Sequence, residues 1–451
     1  MKRIFLFITA LSVSLTLSAQ AQQTARETVD AEPRLAVPSY TVYLDDDLPA
    51  PAKPPKGYEP FYVSHFSRHG SRYQLSRSFY RKYIDLLERA DSAGLLTGLG
   101  REALDAMRRL RREQESRSGE LSALGAEQHR GIARRMYANF KPVFGRNTEV
   151  FAQSSNIMRC AFSMFYFCEG LKECEPTLRM TLAAGDGVQN VLRPQERGPH
   201  YTRRADSLWR SHLSDTSEWN RRLREWSERQ ACPQAMSKLI ADPETFGREF
   251  GIPSFRFTKE VHARLAFAQN VDVETEELIG RIFSAEELWL YHTYCSYQWF
   301  NSNACTDDPV CAMMISFMRP LVEDFIVRAD AAVAGSRTGI VDLRFAHDTQ
   351  FVPLLAAMGF EGCWGGWTDV ETVARQWRTS RLVTMAANVQ MILYRSKRGG
   401  DVLVRFLIDE RDAALPLPAV ADFFYRWPDV RAYFTDRLAA LDDACRDLLA
   451  E

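Results

Sequence analysis

Three segments of this chain share one plan, an apolar run followed by a polar motif and a helical pattern: Phe61–Arg72, Glu149–Arg159 and Gly339–Met358. In the first, Phe61-Tyr62-Val63-Ser64-His65-Phe66 alternates as a strand does and leads into Arg68-His69-Gly70-Ser71-Arg72-Tyr73. Strands that each feed a helix pair in parallel, with the helices covering the sheet faces. Their motifs then open on the carboxyl edge, where open α/β sheets bind ligands. The expected fold is therefore α/β, a mostly parallel central sheet flanked by helices, with all three motifs on one edge.

That edge would gather Arg68, His69, Arg72, Arg159, His347 and Asp348. The set holds one imidazole between guanidiniums, a third guanidinium, a second imidazole and a carboxylic acid. It suits phosphomonoester hydrolysis. Guanidiniums grip phosphoryl oxygens bidentately and offset charge in the transition state. The His69 imidazole can take the phosphoryl group, splitting one hard displacement into two. Asp348 can protonate the leaving alkoxide and then accept a proton from the attacking water. Arg68, Arg72, Arg159 and His347 are the expected substrate-binding side chains. Neither a metal nor a cofactor is required by this scheme.

The surrounding pattern places these motifs. Ser76 to about Leu95 and Arg101–Glu115 read as helices, the second densely charged. Its arginines alternate with Glu102, Asp105, Glu113 and Glu115, which favours a solvated face over a basic wall at a pocket mouth. Ser122 is expected to cap a helix running to Phe140. Ser154 or Ser155 should cap the helix that holds Met158, Phe162, Phe165 and Tyr166, with Gly170 ending it. From about Arg193 to Arg328 the pattern is helical and shows no strand alternation. Asn388–Tyr394 and Val402–Ile408 read as a hairpin through Gly399-Gly400. The expected organisation is a leader over 1–21, an extended proline-rich lead-in over 22–57, an α/β core over 58–190 and 330–451, and an inserted α-helical cap over 191–329.

Lys2 and Arg3, the apolar run Ile4–Leu17 and the Ala19-Gln20-Ala21 pattern read as a secretory signal peptide, with Gln22 as the mature start. The run is too short to span a membrane, and no later stretch is long and apolar enough to do so. Export to a periplasm or beyond is expected. A net charge of -1 gives no bulk field to recruit nucleic acid, so an anionic ligand must be held by a local basic pocket. Nine cysteines in an exported chain suggest disulfides, with Cys305 and Cys311 placed to close a small loop, while Cys160 and Cys168 fit a helix core.

Each assignment has a blander competitor. His65 is read as a structural hydrogen-bonder. An Asp at a helix start such as Asp348 is more often a cap, but beside His347 and after an apolar strand the catalytic role is preferred. Arg159 could be a surface residue, though a position near a helix start favours an anion. Lys82, Arg193, Arg197, His200 and Arg203 are each read as solvated charge. No G-x-S-x-G elbow and no phosphate loop of the G-x-x-x-x-G-K-[ST] type occurs.

At this point the chain resembles the histidine acid phosphatases, the two-motif branch of the histidine phosphatase superfamily. The family's Arg-His-Gly-x-Arg matches Arg68–Arg72, its His-Asp matches His347-Asp348, and its distal phosphate-binding arginine matches Arg159 in Ser154-Ser155-Asn156-Ile157-Met158-Arg159. Gly119–Gly125 matches Gly-x-Leu-Thr-x-x-Gly with Ser122 in place of Thr. Within the family it is most similar to bacterial multiple inositol polyphosphate phosphatases, on these motifs and on Ala386-Ala387-Asn388-Val389-Gln390. Gln74 stands where many members have Pro, and His347-Asp348-Thr349 stands where the animal enzymes have His-Ala-Glu. The resemblance implies a phosphatase of phytate-like inositol polyphosphates with Asp348 as general acid and an acidic pH optimum. The alternatives are a broad acid phosphatase on sugar phosphates or other small monoesters, and a non-catalytic binder of phosphorylated ligands. A mutase is disfavoured by export.

Overall fold

The computed structural model describes residues 25–450 except positions 47, 337, 338 and 378. The expected leader over 1–21 and the expected mature start Gln22 lie outside the described residues. Among the described residues, eight strands form one sheet: β1 (Tyr58–Arg68), β2 (Glu149–Ser154), β3 (Arg179–Ala183), β4 (Gly339–Ala346), β5 (Asn388–Ser396), β6 (Leu403–Ile408), β7 (Arg411–Ala413) and β8 (Tyr425–Arg426). Their order is β3-β2-β4-β1-β5-β6-β7, and β8 pairs with β6. The sheet is mixed. β3, β2, β4 and β1 run parallel, and β5 joins β1 antiparallel to begin the hairpin side. The three motif-bearing strands are thus the parallel ones.

The principal helices are α1 (Ser78–Ser92), α2 (Gly98–Glu113), α3 (Ala123–Asn139), α4 (Met158–Cys174), α5 (Ala285–Asn303), α6 (Arg319–Val333), α7 (Asp348–Met358) and α8 (Trp427–Ala450). Every named element between β3 and β4 is helical. The strand period of two sorts side chains between two layers. Val63, Val341, Leu343 and Phe345 face α3 and α4, where Ile132, Met136 and Phe167 complete an apolar cluster. Tyr62 and Phe66 face the other way, toward Phe325 on α6 and Phe351 and Leu354 on α7. Burying a Phe of this kind stabilises by about 1.5–3 kcal/mol.

The face toward α6 also carries charge. Arg344 on β4 is 1% exposed, and its Nε and Nη1 donate to Asp324 at 2.7 Å and to Ser64 at 2.8 Å. Tyr62 donates to Asp342 at 2.7 Å, and Arg328 holds the other carboxylate oxygen at 2.9 Å. Each buried charge therefore has a partner, as burial demands.

Five expectations change here. The lead-in is not extended throughout. Residues 25–31 form a helix, two 3-10 turns follow at Pro33–Ala36 and Pro38–Tyr40, and Val29, Leu35 and Ala36 are buried. Apolar spacing of four residues, Ala25 to Val29, lets the segment bury one face. Gly170 does not end α4, which runs on to Cys174, and no side chain caps its start. A Cβ at Gly170 would sit 3.0 Å from the Arg130 backbone, so the glycine serves close packing of α4 on α3. All nine cysteines are free thiols, with Cys305 and Cys311 both buried and unbridged. Among the described residues, His65 hydrogen-bonds nothing. It is fully buried against Phe167 and Phe345, at ring distances of 4.8 and 5.7 Å.

Candidate active site

Parallel register brings the motifs level. Arg68 pairs with Ala346, and Ser154 with Phe345, so β1, β4 and β2 end within one residue of each other. Two backbone bonds continue the pairing past the strand ends: His69 N–H donates to Ala346 O at 3.0 Å, and Ser155 N–H to Phe345 O at 2.8 Å. His347 occupies the cap position of α7 and Asp348 its first turn. Arg159 lies in the first turn of α4.

The six expected side chains converge. Arg68 Nη2 lies 2.6 Å from Asp348 Oδ2. Arg159 Nη2 lies 3.2 Å from His347 Nδ1, and the Ser155 hydroxyl 3.3 Å from His347 Nε2. The rings of His69 and His347 are 5.6 Å apart, edge to face at 72°. His69 Nδ1 is 2.9 Å from the Gly70 carbonyl, so Nδ1 carries the proton and donates. Nε2 has no hydrogen-bond partner among the described residues and holds the unshared electron pair. Among the described residues, the Nε atoms of Arg68, Arg72 and Arg159 are buried without a partner. This is a dense, under-satisfied cationic pocket, the electrostatic complement of a phosphoryl group.

The charges set the protonation states. Burial, followed by Arg68, Arg159 and Arg72, drives His69 well below the ordinary histidine range, so its imidazole is neutral. Burial and then Arg159 push His347 down to about 3. Burial alone would raise Asp348, but Arg68, His347 and Arg72 outweigh it and hold the carboxyl below its usual range. Burial and the neighbouring Arg68 bring Arg72 down to about 10.

The 69–72 turn is gripped from behind. Gly70 packs on Gly125 of α3 so closely that a Cβ on Gly70 would lie 2.6 Å from the Gly125 carbonyl. Gly70 N–H donates to Ser163 of α4 at 3.1 Å, and Ser71 N–H to Gln128 of α3 at 2.8 Å. Arg72 forms an isolated antiparallel bridge with Leu121, and Ser122 N–H reaches Ser71 O at 2.9 Å. The Gly119–Gly125 segment thus acts as a backing for the turn, and Ser122 caps α3 as expected. From the hairpin side, the Val383 and Thr384 carbonyls accept from Arg68 Nη1 at 2.7 and 3.0 Å, and Ser39 O from its Nη2 at 3.0 Å.

Of the more distant basic residues, Arg193 comes near. It donates to Asn156 at 3.2 Å, its side chain is 15% exposed, and its charge is felt by His347. Lys82, Arg197, His200 and Arg203 are exposed. Sequence reasoning missed Gln128, Ser163 and Ser39 at the site. It also placed Cys160 only in the core. The Cys160 thiol does lie fully buried, but 3.7 Å from both ring nitrogens of His347, and burial pushes it up to about 11. No local pattern marks these residues, because each is recruited by helix packing.

No family model matches the chain, and no curated protein matches it by sequence. Solved structures do match in fold. The multiple inositol polyphosphate phosphatase of Bifidobacterium longum, solved with inositol hexasulfate, superposes with a TM-score of 0.70 at 17% identity, covering 89% of this chain and 97% of that one. The phytase of D. castellii gives 0.64 at 16% identity, covering 92% and 87%. The Hafnia alvei phytase gives 0.52 at 12% identity, covering 87% and 99%. This chain shares the α/β fold of these inositol polyphosphate phosphatase and phytase structures.

Proposed function

We propose that this chain is an exported phosphomonoesterase that hydrolyses phytate-like inositol polyphosphates through a phosphohistidine on His69. One observation carries the reading. A neutral imidazole with Nδ1 committed to Gly70 and Nε2 unengaged sits among three guanidiniums beside Asp348. Nε2 attacks phosphorus as the ester P–O bond breaks, and the leaving alkoxide takes the proton of Asp348. Water then attacks the phosphohistidine, its proton passes to Asp348, the P–N bond breaks and inorganic phosphate leaves. Asp348 must be protonated for the first step. A bound phosphate dianion draws on Arg68, Arg72 and Arg159 and so releases the carboxyl from the charge that holds it ionised.

The polyphosphate preference has two supports. The shared fold with the Bifidobacterium longum enzyme and the phytases is one. A cleft of about 730 Å3 beside Gln74 is the other: the second helix, expected to be a solvated face, lines it with Arg108, Arg111 and Arg112, joined by Arg77 and Arg81, against the carboxylates of Glu88 and Glu115. Export rests on the Lys2–Ala21 leader pattern. Protein mixed with inositol hexakisphosphate and quenched in alkali should carry an acid-labile phosphate that His69→Ala removes. Normal turnover by His69→Ala would sink the mechanism. A broad monoesterase is the second reading, favoured by Leu75 and Met158, 54% and 64% exposed near Arg159. A higher kcat/KM on aryl phosphates than on the hexakisphosphate would select it.

A further inference from the structure

We propose that Gln128 is a positioning residue that determines which nitrogen of His69 faces the phosphorus. The inference rests on the phosphohistidine reading above. A peptide group is one rigid plane, so its C=O and N–H turn together. In the Gly70–Ser71 peptide the carbonyl accepts His69 Nδ1–H at 2.9 Å, while the N–H at the other end donates to Gln128 Oε1 at 2.8 Å. Gln128 therefore holds the far end of the same plane that takes the imidazole proton.

The glutamine is itself fixed. Its Nε2 donates to the Ser71 hydroxyl at 3.0 Å, which orients the amide so that oxygen meets the Ser71 N–H. It is 7% exposed, so water does not substitute freely for it. Ser163 fixes the preceding peptide through Gly70 N–H, and the Gly125 contact blocks the turn from moving toward α3. Apart from His69 itself, Gln128 is the only side-chain anchor of the Gly70–Ser71 plane among the described residues.

Without that oxygen the Ser71 N–H is a buried orphan donor, which costs enough to rotate the plane toward another acceptor. Rotation carries the Gly70 carbonyl away from Nδ1. The neutral imidazole then loses the bond that keeps its proton on Nδ1 and populates the tautomer protonated at Nε2, which has no electron pair to attack with. Substrate binding should survive. Arg72 is held through the Leu121 bridge, and Arg68 through the Val383, Thr384 and Ser39 carbonyls.

The test is rapid-quench phosphorylation by an aryl phosphate in wild type, Gln128→Leu and Gln128→Glu, with the phosphohistidine isomer read by chromatography of alkaline hydrolysates. Glutamate keeps an acceptor for Ser71 N–H, and leucine does not. Gln128→Leu is expected to slow phosphorylation roughly 10²-fold with substrate affinity within about twofold, and to yield a mixture of isomers where wild type gives the Nε2 adduct. Gln128→Glu should recover most of the rate and the single isomer. A wild-type rate in Gln128→Leu, or equal losses in both variants, overturns the inference alone. Absence of any phosphohistidine in wild type overturns the mechanism and the inference with it. Should Gln128→Leu not fold, Gln128→Asn, too short to reach the Ser71 N–H, supplies the same comparison.

Discussion

Gly125→Ala should nearly abolish activity while leaving a folded protein. The added Cβ would lie 2.2 Å from Ser71 O, 2.8 Å from Ser71 N and 2.8 Å from Leu121 Cδ1. Ordinary contact begins at 3.4 Å, so the turn must withdraw from α3 by about 1.2 Å. The atoms struck are backbone, which cannot swing aside as a side-chain tip does. Overpacking of this kind costs about 1–3 kcal/mol of stability. The same movement shifts His69 and Arg72 relative to Asp348, and a misplacement of about 1 Å costs roughly 10²-fold in rate, about 2.7 kcal/mol of barrier. Gly131→Ala, on the same helix, is the control. The three atoms nearest its Cβ all belong to the flexible end of the Arg135 side chain, the closest at 3.2 Å, and the change should gain about 0.5–1 kcal/mol of helix stability. Thermal unfolding and kcat/KM on an aryl phosphate measure both quantities. Gly125→Ala with a rate within twofold of wild type would show that the Gly70–Gly125 contact does not place the turn.

Asp348→Asn should slow hydrolysis of alkyl phosphates far more than of aryl phosphates, since aryl oxides leave without a proton; equal losses on both would count against Asp348 as the acid. Stability should fall on acidification because His65, His129 and His262 are buried neutral, His129 and His262 held down at about 3 by burial. The unfolded chain binds their protons below about pH 6.5 and the folded one does not, so the stability present above that pH declines by up to about 1.4 kcal/mol per pH unit for each. Denaturant midpoints between pH 7 and 4 should flatten in His129→Phe, and an unchanged pH slope would refute the assignment. Asp324→Ala strands the buried Arg344 guanidinium and should cost about 3–5 kcal/mol, seen as a lowered Tm, with KM little changed because neither residue touches the site.

The motif residues were legible because their signal is local. An alternating run such as Phe61–Phe66 commits to a strand, and Ser122 to a cap. Parallel pairing of strands with similar plans then follows from general connection rules, which is why His69 and Asp348 could be brought together from positions far apart. The hairpin β5–β6 was equally visible, although the antiparallel junction of β5 with β1 was not.

What the sequence alone determined, then, is the list of chemical groups on one sheet edge and the strands and caps that deliver them, since these depend on residues within a few positions of each other. Only tertiary structure decided how those groups are held. Gln128, Ser163 and Gly125 grip the His69 turn because α3 and α4 pack behind it, and Val383 and Thr384 hold Arg68 through backbone carbonyls that carry no residue signature. Tertiary packing likewise put Gly170 inside a helix and buried His65 among phenylalanines. Contacts between segments far apart in the chain are selected by shape and by the satisfaction of buried polar groups, and neither leaves a periodic trace in the sequence.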